Sequence, residues 1–236
     1  MQRHLKRTAI HSSSSGVKRI LEITSIEKYK GSSYEVELDG DRKVFLHAEI
    51  IAAYGLVHGL QIDSEKLEEI IFSSNKRRAF QYALYLIDLR DYSYKEMYSK
   101  LMRKYDRNDE LCTQVVDKLV STGAINDKRY AAMLAKHYVE TKKFGIFRAK
   151  NEMRLKGITG SIAEDALEPY VCQLEENAES IISKKYERFL SDQNDKKAVA
   201  KVKNALIRYG YSYEQVNKAV KNYFEDAQQE ENDDAD

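Results

Sequence analysis

A mainly α-helical fold is predicted: three tandem three-helix repeats, helix-turn-helix-like and set in an elongated arch, preceded by a small N-terminal β-hairpin plus helix region. Three observations predict it. One proline and ten glycines in 236 residues leave few helix breakers. From Asn75 onward, apolar residues recur at the spacing that lines one face of a helix. The helical part is also self-similar: "KLMRKYDRNDELCTQVVDKL", "NEMRLKGITGSIAEDALEPY" and "NALIRYGYSYEQVNKAVKNYF" superpose with a break at Tyr105, Gly157 and Gly210, spaced 52 and then 53 residues apart.

The elements follow in order. Residues 1–17 read as a disordered basic leader, with no apolar stretch of the kind a secretory signal needs. Residues 18–74 form the hairpin and helix region. There "ILEITSIEKY" and "SYEVELDGDRKVFL" alternate as strands do, and Asp39-Gly40 supplies the positive φ of a type I′ turn. A short helix is expected from His47 to Leu56, and another after a cap at Asp63 or Ser64. The repeats are then placed at 75–126, 127–174 and 175–226, with helices over 75–90, 177–191 and 195–209 among them. Ser93 with Glu96, Ser161 with Glu164, and Ser212 with Gln215 read as capping boxes. Gly123 ends the third helix of the first repeat, and Asp127 caps the first helix of the second. The third helix of each repeat carries an i, i+4, i+8 apolar row: Leu111, Val115, Leu119; Ile162, Ala166, Tyr170; Val216, Val220, Phe224. Residues 227–236 read as an acidic disordered tail.

Charge is segregated behind a net value of +1. Residues 75–224 carry 29 basic and 20 acidic groups, whereas residues 225–236 carry seven acids and no base. A basic body suits contact with a polyanion. Cys112 and Cys172 fall on apolar helix positions, as reduced buried thiols in a cytoplasmic protein would, with a disulfide between them the less favoured alternative. No run of about 18 apolar residues suggests a membrane span. His4, His11, His47, His58 and His137 are scattered, so no metal site is expected. No cofactor is expected: there is no phosphate-cradling glycine loop. Nor does any catalytic residue stand out, and the chain reads as no enzyme.

The segments "AFQYALYLIDLRDYSYKEMYSKLMRKY", "GAINDKRYA" and "KKFGIFRAKNEMRLKGI" resemble the RecX family, bacterial modulators of the RecA recombinase. Ile125, Asn126, Asp127, Tyr130 and Ala131 match one family motif; Gly145, Glu152, Lys156, Gly157 and Ile158 match a second. The likeness covers residues 75–225. Two departures are Ile146 where the family has proline after Gly145, and Tyr105 at a usual glycine. The resemblance implies a monomeric regulator that binds the RecA filament on single-stranded DNA along its groove. Such a protein inhibits or disassembles the filament, lowering strand exchange, ATPase and coprotease activity, with auxiliary affinity for single- and double-stranded DNA.

Candidate contacts with filament or DNA are Lys100, Arg103, Lys104, Arg129, Lys142, Lys143, Arg148, Lys150, Arg154 and Lys156. Phe144 and Phe147 interleave with the bases there, as backbone tracking with base stacking requires. Phe144 and Phe147 are equally readable as core. The alternative is a sequence-specific helix-turn-helix DNA-binding regulator. It is opposed by third helices that open on acidic or apolar residues.

Overall fold

The computed structural model describes residues 19–233, with side chains through Asp226. The expected basic leader, 1–17, lies outside the described residues. The chain divides into two compact units, Met1–Arg78 and Ala79–Asp236.

In the first unit, β1 (Ile20–Lys30), β2 (Ser33–Leu38), β3 (Arg42–His47) and β4 (Gln61–Asp63) form an antiparallel sheet in the order β3-β2-β1-β4. This is more than the expected hairpin, because β4 returns to pair with the start of β1, Leu21 opposite Ile62. The β2–β3 turn is as read: Asp39 and Gly40 take φ of 54° and 79°. α1 (Ala48–Ala53) is capped by His47, whose Nδ1 accepts the Glu49 N–H. Leu21, Ile23, Val36, Leu38, Leu46 and Ile62 bury one face of the sheet against Leu67 and Ile70 of α2.

α2 runs unbroken from Ser64 to Leu89. Two helices with a seam near Asn75 were expected. The polar stretch Ser73-Ser74-Asn75 stays helical because packing overrides its weak propensity: Ser73 shares a hydrogen bond with Tyr54, and Ser74 is buried.

The second unit holds the three tandem repeats. α3 (Tyr94–Lys104) and α4 (Asp109–Ser121) complete the first with the end of α2. The second contains α5 (Asp127–Lys136), which runs into a π-helical turn His137–Thr141, then α6 (Ile146–Leu155) and α7 (Ser161–Leu167), extended by a 3₁₀ stretch Glu168–Gln173. The third contains α8 (Leu174–Ile181), again followed by a π turn, Ile182–Tyr186, then α9 (Lys196–Tyr209) and α10 (Tyr213–Asp233). α10 thus takes in residues 227–233 of the expected disordered tail. "AQQEEND" contains no glycine or proline to stop a helix already running. Cys112 is buried as expected, but Cys172 is exposed, since the 3₁₀ stretch after Pro169 turns it off the buried face. In α7 the buried positions are Ala163 and Leu167, one residue on from the Ile162–Ala166 row, whose members are half-buried.

Caps show where the chain departs from local rules. Ser212 and Gln215 cap α10 reciprocally. Ser93 accepts the Glu96 N–H, but the Glu96 carboxylate turns away to Arg90. Ser161 caps nothing, as Gly160 holds that place. α5 is capped by Asn126, while Asp127 accepts the Tyr94 N–H of the preceding repeat.

The repeats are joined through the ends of their middle helices. Ser93, at the start of α3, donates to the Lys156 carbonyl at the end of α6 (2.5 Å). One repeat on, the Gly145 and Phe147 N–H groups at the start of α6 donate to the Tyr209 and Gly210 carbonyls ending α9, at 2.9 and 3.1 Å. Each junction lets the donor end of one helix meet the acceptor end of the next, where both have groups without intrahelical partners. The approach needs glycine. A Cβ on Gly145 would stand 2.3 Å from the Gly210 carbonyl oxygen, and one on Gly210 would stand 2.4 Å from the Arg148 nitrogen. A Cβ on Gly157 would meet the Lys95 Cβ at 2.6 Å. Tyr105, the first-repeat counterpart, has φ −111°, and the positive φ there falls on Asp106 and Arg107 instead.

Gly145 has an ordinary φ of −71°, so Gly145→Ala isolates the steric cost of this contact. We expect it to destabilise the protein by about 1–3 kcal/mol in urea unfolding. Gly123→Ala, strained by its φ of 74° but facing open space, should cost about 1 kcal/mol; equal losses would show that the junction yields freely.

Candidate nucleic-acid interface

Most of the ten candidate cations have partners within the protein. Lys150 pairs with Glu164 (3.0 Å), Lys156 with Glu96 (3.5 Å), and Arg129 with Asp91 (3.5 Å) and two backbone carbonyls. Arg154 donates to Asn151, and Arg103 to the Ser99 carbonyl of its own helix. Lys104 lies over the Tyr82 ring at 3.3 Å, and Lys100 lies 5.5 Å from that of Tyr92. Lys143 is drawn inward. With a φ of 56°, it sends its ammonium to the buried Asn177 Oδ1 (2.6 Å), whose amide donates to the Val139 carbonyl. Its own carbonyl accepts the hydroxyl of buried Tyr211. Lys143 therefore ties the second repeat to the third.

What the fold does gather are two clefts, one at each junction. The first, about 240 Å³, is lined by Arg90, Tyr92, Lys95, Glu96, Lys100, Arg103, Leu155 and Gly157, among others. The second, about 430 Å³, is lined by Thr141, Lys142, Phe144, Arg148, Lys185, Tyr186, Ala205, Arg208 and Tyr209. They are repeats of one another: Arg90, Tyr92 and Glu96 lie 52 residues before Lys142, Phe144 and Arg148, and Leu155 lies 53 before Arg208. Each holds a cation over a ring, Arg90 on Tyr92 (3.6 Å) and Arg148 on Phe144 (4.0 Å).

Their electrostatics differ, most plainly at Glu96. In the first cleft Glu96 receives Arg90 at 3.1 Å, Lys156 at 3.5 Å and the Tyr130 hydroxyl at 3.2 Å. Burial pushes its carboxyl up, but the Arg90 hydrogen bond and charge, with Lys156 and Tyr130, prevail and hold it below the ordinary glutamate range. Burial, then the Glu96 charge, raises Tyr130 to about 12. The second cleft has Arg148 where the first has Glu96, and no carboxylate lines it. The Lys142 and Arg208 side chains have no hydrogen-bond or ion-pair partner among the described residues. Lys185 donates to the Tyr209 hydroxyl at 2.8 Å, the main cause of its raised pKa. Phe144 packs against the core, settling one of the two ring readings, whereas Phe147 stands 66% exposed. Lys185, Tyr186, Arg208 and Tyr209 were not among the sequence candidates. The 53-residue offset leads from Arg208 back to Leu155, so the repeat gave no signal for a cation there, and Lys185 is presented by a π turn that periodicity does not reveal.

Tandem three-helix repeats joined end to end define a helical repeat protein. Among the described residues there is no group of three or more potential metal ligands, and no helix is long and apolar enough to cross a membrane. Residues 126–167 match the model of the second three-helix domain of RecX, and residues 173–220 that of the third. The chain is 29% identical to the regulatory protein RecX of Streptococcus sanguinis over 200 residues, covering 84% of this chain and 76% of that one. It is 28% identical to that of Clostridioides difficile, covering 84% and 93%. A crystal structure of a regulatory protein RecX shares the fold with a TM-score of 0.67 at 22% identity, covering 86% of this chain and 99% of the other. RecX from Lactobacillus salivarius aligns with a TM-score of 0.59 at 26% identity, over 64% and 97%. The chain belongs to the RecX family, and its role is regulatory.

Two expectations follow. Lys143→Ala should lower the unfolding free energy by about 1–3 kcal/mol for the hydrogen bond lost to buried Asn177, and leave DNA affinity close to wild type; a large affinity loss in a protein of unchanged stability would return Lys143 to the surface. Because the Glu96 pKa is lowered on folding, its contribution is present above the unfolded value, about 4.3, and lost as pH falls through the folded one. Acid unfolding of Glu96→Gln should therefore be less steep than wild type below about pH 4.

Proposed function

We propose that this chain is a non-enzymatic regulator that binds the RecA filament on single-stranded DNA along its groove. There it inhibits or disassembles the filament, lowering strand exchange, ATPase and coprotease activity. The observation that carries this reading is the recurrence of one basic, aromatic cleft at successive repeat junctions in a RecX-family chain. A partner that is itself periodic can be met by several units at once. In this reading the repeats are 75–126, 127–174 and 175–226, and the protein acts as a cytoplasmic monomer. Lys100, Arg103, Lys104, Lys142, Arg148 and Arg154 are the sequence candidates that meet the filament or its DNA. Arg129, Lys143, Lys150 and Lys156 serve the fold instead through the partners described above.

No chemistry by this chain is needed. Binding one filament state better than another displaces the assembly equilibrium, and a hundredfold preference is worth about 2.7 kcal/mol. A sequence-specific helix-turn-helix reading is disfavoured by the third helices. Their first turns carry Asp109 and Glu110 in α4, Glu164 in α7 and Glu214 in α10, which oppose phosphate where a recognition helix would enter a groove.

Purified protein at a sub-stoichiometric ratio should lower the DNA-dependent ATPase of RecA from the same cell. An unchanged rate at saturating protein would refute the regulatory mechanism, and a footprint at one defined operator would favour the alternative.

A further inference from the structure

The geometry points to the cleft between the second and third repeats as a single-nucleotide subsite for single-stranded nucleic acid, with Lys142, Lys185 and Arg208 holding phosphate and an unpaired base stacking on Arg148. This inference deepens the DNA contact proposed above, naming its place and its ligand, and rests on that reading for its biological setting.

Three independent features carry it. The first is charge: four cations and no carboxylate line the cleft, and two of the cations, Lys142 and Arg208, lack a protein partner among the described residues. At the sister cleft the Glu96 carboxylate stands in the lining and engages Arg90 and Lys156; here Glu152, 3.8 Å from the Arg148 Nε, lies outside the lining. The second is the stacking platform. The Arg148 guanidinium is fixed from below by the Phe144 ring at 4.0 Å and tethered to the Arg208 carbonyl at 3.3 Å. A guanidinium plane held this way, with Tyr186 and Tyr209 beside it, is a surface on which any unpaired base can stack. A paired base in a duplex keeps its faces covered. The third is the backbone. Thr141 and Lys185-Tyr186 reach the cleft from the two π-helical turns, His137–Thr141 and Ile182–Tyr186, and such turns recur at functional sites because they re-aim side chains that an α-helix would turn away. The volume, about 430 Å³, lies at the small end of the range for ligand sites, as one nucleotide requires.

The test measures fluorescence anisotropy of a short labelled oligothymidylate with the full chain, without RecA, over a range of salt. Lys185→Ala with Arg208→Ala should weaken binding at least tenfold and reduce the salt slope by about 1.4, the value for two lost phosphate contacts to a single strand. Lys196→Ala with Lys197→Ala removes the same charge at the other end of α9, where both residues are exposed. This second pair should change affinity less than twofold. The charge-conserving pair Lys185→Arg with Arg208→Lys should retain binding and reports that the fold is intact. An abasic strand of equal length should bind the wild type several-fold more weakly than oligothymidylate, and a duplex should lose less than the single strand on mutation. Equal losses from both alanine pairs would overturn the subsite as bulk electrostatics, and equal binding of the abasic strand would overturn the stacking. If these variants bind like wild type while the wild-type protein still lowers the filament ATPase, the subsite fails and the regulatory reading stands. If the cleft binds as described and the ATPase does not move, the reverse holds.

Discussion

The contact on which the helical unit depends is the meeting of helix ends at the repeat junctions. Bare peptide N–H groups at the start of α6 reach carbonyls at the end of α9, and Ser93 makes the corresponding bond from α3 to the end of α6. Such groups must be satisfied somewhere, and leaving them buried and unpaired would cost more than the bonds return. Satisfying them across a junction brings two backbones closer than any Cβ permits. Gly145 and Gly210 answer to that distance and Gly157 to its approach to Lys95, while Gly157 and Gly210 also hold φ of 85° and 94°, which side chains rarely adopt. Where no repeat precedes, at Tyr105, the demand lapses and a large side chain is tolerated.

The clefts follow from the same contact. Two helix ends that touch leave a notch beside them, lined by residues just before one helix and in the last turn of the other. In both notches the residues before the helix include a cation and a ring, Arg90 and Tyr92 or Lys142 and Phe144, and in the second the last turn adds Arg208 where the first has Leu155. Arg148 in the place of Glu96 leaves the second notch lined by cations alone, whereas Glu96 in the first engages Arg90, Lys156 and Tyr130.

Much of this was legible in the residues. Helical periodicity, the breaks at Gly157 and Gly210, the Asp39-Gly40 turn and the buried row Leu111, Val115, Leu119 are local signals, and local physics decides them. The misreadings are non-local. β4 is three residues long and is a strand only because β1, some 40 positions earlier, offers an edge. Asp127 reads as a cap but serves the repeat before it, and Lys143 reads as surface charge but is claimed by Asn177, 34 residues away. The candidate site was half visible: Lys142 and Arg148 were found, whereas Lys185 and Tyr186 became neighbours of Phe144 only through packing.

Both junctions run in the same sense, a helix beginning in one repeat set against a helix finishing in the next. The tandem therefore has a front and a back, and turning it round does not reproduce it. A nucleic-acid strand has a 5′ and a 3′ end, and a protein filament likewise has unlike ends. On the function proposed above, an object with this polarity would engage such a lattice in one orientation only, with the first repeat facing a fixed end of it.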